Sequence, residues 1–453
     1  MAEWVGASSE QLVAAYGSER ASPVEVAEAM FERIDRLDGV IGAMRSLCHG
    51  SALDSAMASA HRWQRRVPLS PLDGVPVTVR EDLAVPADIK HLEGASPVVA
   101  RLLEAGCVVL GTTVMAGHDT LVSGLGRDGR LVRNPWQPML TAGGSSSGAA
   151  AACAAGYAPL NIGIDRVGAI RLPAAFCGVF GFKPTQGRVP VSEPALGRVA
   201  GPVTRTVHDA AAAMNILVRP DDRDFMSLPP EQGEYRMRVD GMSPKSLSIA
   251  VLTDMGHGLS IDPAILGAVQ AAARALQMAG AAVETVDSFL SPAMFDGLQL
   301  YLESAVHAEL QAMPADEQRR VPAFVHAWSA RRAGQASGLA VMQAWRQVMA
   351  MRAAISAALE GYDYLLMPVS PVLPYAAEAL SPSGNPADGL PHIICTAPWN
   401  LAENPAATVN WTQDASGAPV GVQVVGHRFD DLGVLRLSRS LEILRPDQDD
   451  WPD

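Results

Sequence analysis

Cysteine is scarce. The 453-residue chain has five, Cys48, Cys107, Cys153, Cys177 and Cys395, and no two form a C-x-x-C pair. That excludes a disulfide framework and a cysteine zinc site, and leaves reduced, buried thiols in a cytoplasmic protein as the expectation. Charge is also scarce, at 18% of residues, and it is lopsided: 48 Asp and Glu face 35 Lys and Arg, for a formal net charge of −13. Such a field repels phosphate backbones, so neither nucleic acid nor an anionic membrane surface is expected as a partner. The N-terminus has no signal-peptide pattern, because Met1 to Gly17 carries Glu3 and Glu10 and no apolar core. One stretch, Pro135 to Ile164, has no charge at all, but Gly143, Gly144, Gly148, Gly156 and Pro159 interrupt it. A buried helix leaving a Gly/Ser loop explains that stretch better than a membrane span. No internal repeat of fixed period is present.

Apolar residues are abundant instead, at 48% of the chain, which is enough for a large core and excludes a mostly disordered protein. Ser22-Pro23-Val24-Glu25 combines a cap, an N1 proline and a capping-box glutamate, so a helix is predicted from there. Strands are predicted at Gly74–Val79, Cys107–Leu110, Leu160–Ile164, Leu247–Leu252, Val283–Val286, Tyr364–Met367 and Val420–Val425. Helices are predicted between them, at Pro97–Ala105, Gly148–Ala155 and from Asp262-Pro263 to the Gly280 cap, with a mostly helical Ser291–Glu360 and a final helix Asp430–Leu444. Loops are expected at Met115–Pro138 and Ser381–Gly389, and the acidic end Asp447–Asp453 reads as a frayed tail. Strands alternating with helices argue for an α/β sheet covered on both faces.

The chemistry concentrates in Thr141 to Pro190. Two small-residue loops, Gly143-Gly144-Ser145-Ser146-Ser147-Gly148 and Asp165-Arg166-Val167-Gly168-Ala169, lie one helix and one strand apart. Glycines let backbone approach a ligand closely, and free N–H groups at a helix start bind anions. By itself a Gly/Ser loop is equally a plain strand-to-helix turn.

The whole block is far more specific. Ile170-Arg171-Leu172-Pro173-Ala174-Ala175-Phe176-Cys177-Gly178 and Gly181-Phe182-Lys183-Pro184-Thr185 resemble the signature of the amidase signature family almost without a break. Further matches are Gly74-Val75-Pro76-Val77, Arg133-Asn134-Pro135-Trp136, Gly201-Pro202-Val203-Thr204-Arg205-Thr206-Val207, Ala397-Pro398-Trp399-Asn400-Leu401 and Pro419 to Gly426. The resemblance therefore spans nearly the full chain. It implies a single domain over 1–453 with a mixed, mainly parallel central sheet covered by helices on both faces. It also implies a variable helical segment at 289–380 that sets substrate specificity. No metal and no organic cofactor are implied.

Members of that family cleave amides (C–N bonds) with a Ser–cis-Ser–Lys triad, in which a neutral lysine takes a proton through the bridging serine and a second serine attacks the carbonyl. Backbone N–H groups just before the nucleophile form the oxyanion hole. Carried over by position, the bridging serine falls on Ser145, the nucleophile on Ala169 and the lysine on Arg80. The ligand-facing loop positions are Gly143, Gly144, Ser146, Asp165, Arg166, Val167 and Gly168. A methyl group has no nucleophilic atom, and a guanidinium stays protonated and has only donors. An engineered inactivation would explain Ala169 alone, but not Arg80, Arg166 and Val167, which are also off the family pattern.

The expectation is a pseudo-amidase that binds a small amide or carboxylate ligand or scaffolds a partner, as a homodimer or with a partner enzyme. The alternative is an active enzyme that cleaves or forms amides using Ser145 and arginine electrostatics. Two arginines facing the cleft, Arg80 and Arg166, would suit a carboxylate. The competing expectation is that Arg80 pairs internally with Asp165 or Glu81 and merely fills the lysine's space.

Overall fold

Short runs of β-branched and small residues form eleven strands in one sheet. They are β1 (Met44–Leu47), β2 (Pro76–Arg80), β3 (Val108–Thr113), β4 (Leu160–Asp165), β5 (Phe180–Lys183), β6 (Val199–Thr204), β7 (Ser248–Leu252), β8 (Ala282–Val286), β9 (Tyr364–Pro368), β10 (Ala406–Gln413) and β11 (Pro419–Gly426). The structure, a computed structural model, describes residues 4–86, 92–119, 123–126, 128–231, 234–385, 393–448 and 451–452. Part of the Ser381–Gly389 loop and part of the acidic tail lie outside the described residues.

The strand order is β1-β3-β2-β4-β6-β5-β10-β11-β9-β7-β8. The α/β class is as expected, but the balance of pairing is not. Six neighbouring pairs are antiparallel and four are parallel. Parallel pairs follow where a helix crosses over: β2 to β3 through Pro97–Glu104, and β7 to β8 through Pro263–Met278. The strands not foreseen, β1, β5, β6 and β10, pair only antiparallel and account for most of the difference. β3 also runs on beyond the expected end at Leu110, through Gly111, to Thr113.

Side chains alternate along the strands between two cores. Ile249 and Val251 of β7, and Tyr364 and Leu366 of β9, join a core capped by the helices Pro97–Glu104, Val207–Leu217, Pro263–Met278 and Asp431–Leu444. Ala250, Leu252, Leu365 and Met367 join the opposite side, under Pro292–Ala312, Gly338–Ala358 and Ala397–Leu401. Pro23–Ile41 and the fully buried helix Ser147–Ala154 fill the rest of that side, so the uncharged stretch is buried from Thr141 to Ile164, while Pro138 and Met139 near its start are exposed. Among the described residues no helix is long and apolar enough to cross a membrane. The Ser22/Glu25 capping box forms as predicted. The tail is not frayed where it is described: Trp451 lies 4.2 Å from the Arg205 guanidinium, and the Pro452 carbonyl accepts from Arg33 at 2.6 Å. An aromatic ring and a buried arginine give the acidic end something to dock on, which its composition concealed.

β5 ends in Lys183, which is fully buried and donates to the Pro184 carbonyl at 2.9 Å. Burial, and then the Arg171 charge, pull its pKa down to about 7, against opposing pulls from Asp165, Asp431 and Glu403. In the unfolded chain the amine keeps its ordinary value near 10.5. Between these values the unfolded state holds the extra proton, so this residue's contribution makes stability rise with pH; below about 7 it adds no slope. Urea unfolding between pH 7 and 9 should therefore show a rising component that Lys183→Met abolishes. An equal slope in both proteins would contradict this account.

Candidate active site

Three parallel neighbours bring the site together. Because β3, β2 and β4 run the same way, their C-terminal ends open at one edge of the sheet. β2 delivers Arg80, the turn after β3 delivers Asp119, and β4 delivers Asp165 and leads into Arg166–Ala169. The loop before Ser147–Ala154 adds Ser145 and Ser146, and the Gly144–Ser145 peptide is cis. The two loops meet where the Ser146 N–H donates to the Ala169 carbonyl at 3.0 Å.

The Gly turn is held from beneath. Asp165, fully buried, accepts from the N–H groups of Gly168 (2.7 Å), Ile170 (3.1 Å) and Arg171 (3.3 Å). It also pairs with the Arg171 guanidinium at 3.0 Å and accepts from Asn400 Nδ2 at 2.8 Å. Burial alone would raise its pKa, but the Arg171 charge and these bonds hold it well below the usual carboxylate range. Gly168 has φ +115°, and a Cβ there would lie 2.1 Å from Thr396 Oγ1, so no other residue fits. Asp165 is therefore a scaffold group and not a ligand contact. The Gly168 N–H, one of the oxyanion-hole donors that the resemblance implies, is already occupied by it.

Ala169 is 4% exposed and presents only a methyl group. Ser145, at 2% exposure, donates its hydroxyl to Asp119 Oδ1 and accepts from Arg80 Nη1 at 3.3 Å. Ser146 turns inward: its hydroxyl donates to the Ile164 carbonyl at 2.9 Å. Ser147 is fully buried, and its hydroxyl has no hydrogen-bond partner among the described residues.

Arg80 has no exposed surface. It forms a two-pronged pair with Asp82, 2.7 Å from Nε and 2.7 Å from Nη2, and donates from Nη1 to Asp119 at 2.6 Å. Burial opposes its charge, but Asp119 and Asp82 outweigh that and hold its pKa above even the ordinary arginine value. Asp82 is correspondingly held down, at about 2, because the Arg80 and Arg198 charges overcome its own desolvation. Arg198 completes the group, 2.8 Å from Asp82 and 3.6 Å from Asp119. Arg166, 8% exposed, forms a two-pronged pair with Glu309 of the helix Pro292–Ala312, with one contact at 2.9 Å.

These pairs correct two expectations. Arg80 is internally paired, but with Asp82 and Asp119 rather than Asp165 or Glu81; Glu81 instead accepts from the Met115 N–H. Neither Arg80 nor Arg166 stands free to grip a carboxylate, because a buried cation requires a counter-charge and each has one. Asp119, Arg198 and Glu309 were missed. Asp119 fell inside the segment read as a loop, and Glu309 is 143 residues from its partner, so neither had a local signal. Asn400 lay in a matched motif, so it had one. Of the histidines, His208 pairs with Asp240 and His427 contacts the Tyr362 carbonyl.

A Gly/Ser loop and a Gly turn facing each other over strand ends, with a serine and a basic side chain between them, define a site of the acyl-transfer hydrolase class. The Amidase family model matches residues 25–435, and the chain belongs to that family. It is 31% identical to an acylamidase of Rhodococcus erythropolis, over 99% of this chain and 97% of that one. It is also 31% identical to a glutamyl-tRNA(Gln) amidotransferase subunit of Anaeromyxobacter dehalogenans, over 93% and 92%. Among solved structures it resembles a bacterial aryl acylamidase, with a TM-score of 0.85 and 25% identity over 98% and 97% of the two chains. By descent it is an amide C–N hydrolase.

Removing one partner of a buried ion pair leaves a charge uncompensated, which costs about 3–5 kcal/mol. Asp165→Asn should destabilise the protein by about that much in chemical denaturation. A loss below about 1 kcal/mol would show that the turn does not depend on this carboxylate.

Proposed function

We propose that this protein is a pseudo-amidase, which keeps the family's cleft for a small amide and does not cleave it by the family mechanism. The observation that carries this reading is Ala169 beside a fully paired Arg80: a methyl at the nucleophile position and a permanent cation at the base position. Losing the nucleophile of a linked triad lowers the rate on the order of 10⁶-fold. Positioning and residual N–H donors leave about 10³–10⁴ over water.

The ligand favoured is a neutral amide rather than a carboxylate. Arg80, Arg166 and Arg198 are balanced by Asp82, Asp119 and Glu309, which leaves little net charge to attract an anion. The helical segment 289–380 is proposed to set specificity, because Glu309 reaches from it to the loop at Arg166. A scaffolding role beside a partner is proposed from relatives named as subunits of an amidotransferase. The second reading, turnover through Ser145, has the Ser145–Asp119 hydrogen bond in its favour. Asp119 is held below the ordinary carboxylate range despite its burial, mainly by Arg80 and Arg198, and this makes it a weak proton acceptor.

Purified protein mixed with small aliphatic and aryl amides should show no turnover, and calorimetry should show neutral amides binding more tightly than their carboxylate analogues. Turnover that Ser145→Ala abolishes would overturn the pseudo-amidase reading in favour of the second.

A further inference from the structure

The base position of the site has been changed by more than one residue. Arg80 projects from the end of β2 into a space walled by three other charged elements. Asp82 follows it on the same segment, and Asp119 comes from the turn after β3, at φ +60°, a backbone conformation unusual for a residue with a side chain. Arg198 precedes β6 and touches both carboxylates. Arg166, with Glu309 beyond it, closes the group. All of these side chains except Glu309 are mostly buried. Asp119 Oδ1 has two donors at once, the Ser145 hydroxyl and Arg80 Nη1. Its Oδ2 has no hydrogen-bond partner among the described residues and lies 3.6 Å from Arg198 Nη1.

We propose that Asp119, seconded by Asp82, is a positioning residue that keeps any basic side chain at position 80 cationic and turns the Ser145 hydroxyl away from the ligand. The inference rests on position 80 being the former base position. It adds that the site is locked by a carboxylate clamp, and not only by the two substituted triad members. The geometry requires as much. An amine placed at position 80 would lie within contact of two buried carboxylates, and an opposite charge at 4–6 Å favours the charged form by about 1–3 pH units for each partner. A protonated amine has no lone pair with which to accept the serine proton. Ser145, donating to Asp119, has its hydrogen committed to that carboxylate and not to a group at position 169. Restoring Arg80→Lys and Ala169→Ser therefore rebuilds the triad's atoms without its proton inventory.

The lysine at position 80 is directly observable, because the natural chain contains only three lysines, Lys90, Lys183 and Lys245. In full-length protein labelled with ¹³C-lysine, the fourth resonance of Arg80→Lys should stay in its protonated position beyond pH 10. In Arg80→Lys with Asp119→Asn it should titrate about 1–3 units lower. An identical midpoint in the two proteins, or a lysine already neutral near pH 7 in the first, overturns the clamp. Adding Ala169→Ser to both and following p-nitroanilide hydrolysis should move the ascending limb of the pH profile, which reports the base, by the same amount. A lysine titration that moves while neither protein hydrolyses anything upholds the clamp and counts against the ancestry of the triad instead. If Arg80→Lys does not fold, a double-mutant cycle of Arg80→Met and Asp119→Asn by thermal unfolding reads the same coupling, and an interaction of zero overturns it.

Discussion

A guanidinium cannot shed its proton at any pH that a folded protein survives, so a buried arginine obliges its surroundings to supply negative charge. Arg80 has no exposed surface and has recruited two carboxylates from separate parts of the chain. Much of the local architecture follows from that one requirement. Asp119 takes up a left-handed backbone conformation beside it, the Ser145 hydroxyl turns to that carboxylate, and Arg198 comes in to balance the second charge. A lysine can escape the same burial by giving up its proton more readily, as the lowered pKa of Lys183 illustrates elsewhere in this protein. An arginine has no such exit, and this separates a base position from an ion-pair centre.

The loops around Ala169 are held by groups outside the three triad positions. Asp165 gathers three backbone N–H groups, the Arg171 guanidinium and Asn400, and that network alone defines the Gly168 turn. Thr396 closes the turn from above by donating to the Val167 carbonyl at 2.6 Å. Arg171 in turn donates to Gln423 of β11 at 2.7 Å, and so ties the turn to the far half of the sheet. None of these groups is a triad position. The side chain at 169 takes no part in these hydrogen bonds, so the turn keeps its frame with either alanine or serine there.

This division explains what could be read from the amino-acid order. Ser22-Pro23-Val24-Glu25 announced its helix because a cap acts over four residues, and the Gly/Ser loop and the Gly turn were legible because their chemistry lies in a few adjacent residues. Strand β7 stood out as a continuous apolar run. Strands β5 and β6 are short and rich in glycine or proline, and they form only because antiparallel neighbours accept them. Arg80 and Ala169 stand out along the chain as departures from the motif the resemblance supplies, but the partners of Arg80 do not. Asp119 reaches it through the register of β2 on β3, and Glu309 reaches Arg166 through the packing of a distant helix. Pairing across a fold leaves no periodicity and no spacing in the chain, so an arginine that looks like a free anion site along the sequence is a neutralised one in space.

The same pairing bears on what the cleft selects. A protein with a formal charge of −13 already disfavours anions in solution, and the site adds no local positive field to reverse that. Shape and backbone polarity, rather than charge, are then what the site has to offer a ligand. Glu309 belongs to the helix Pro292–Ala312, far along the chain, yet it pairs with Arg166 of the Gly turn. A substitution at 309 would release a cation into the cleft and a substitution at 166 would release an anion, so the two positions set the sign of the site together. The charge the site presents is thus decided by a pair whose members lie on different elements, while the shape of the Gly turn is decided by the carboxylate that lies beneath it.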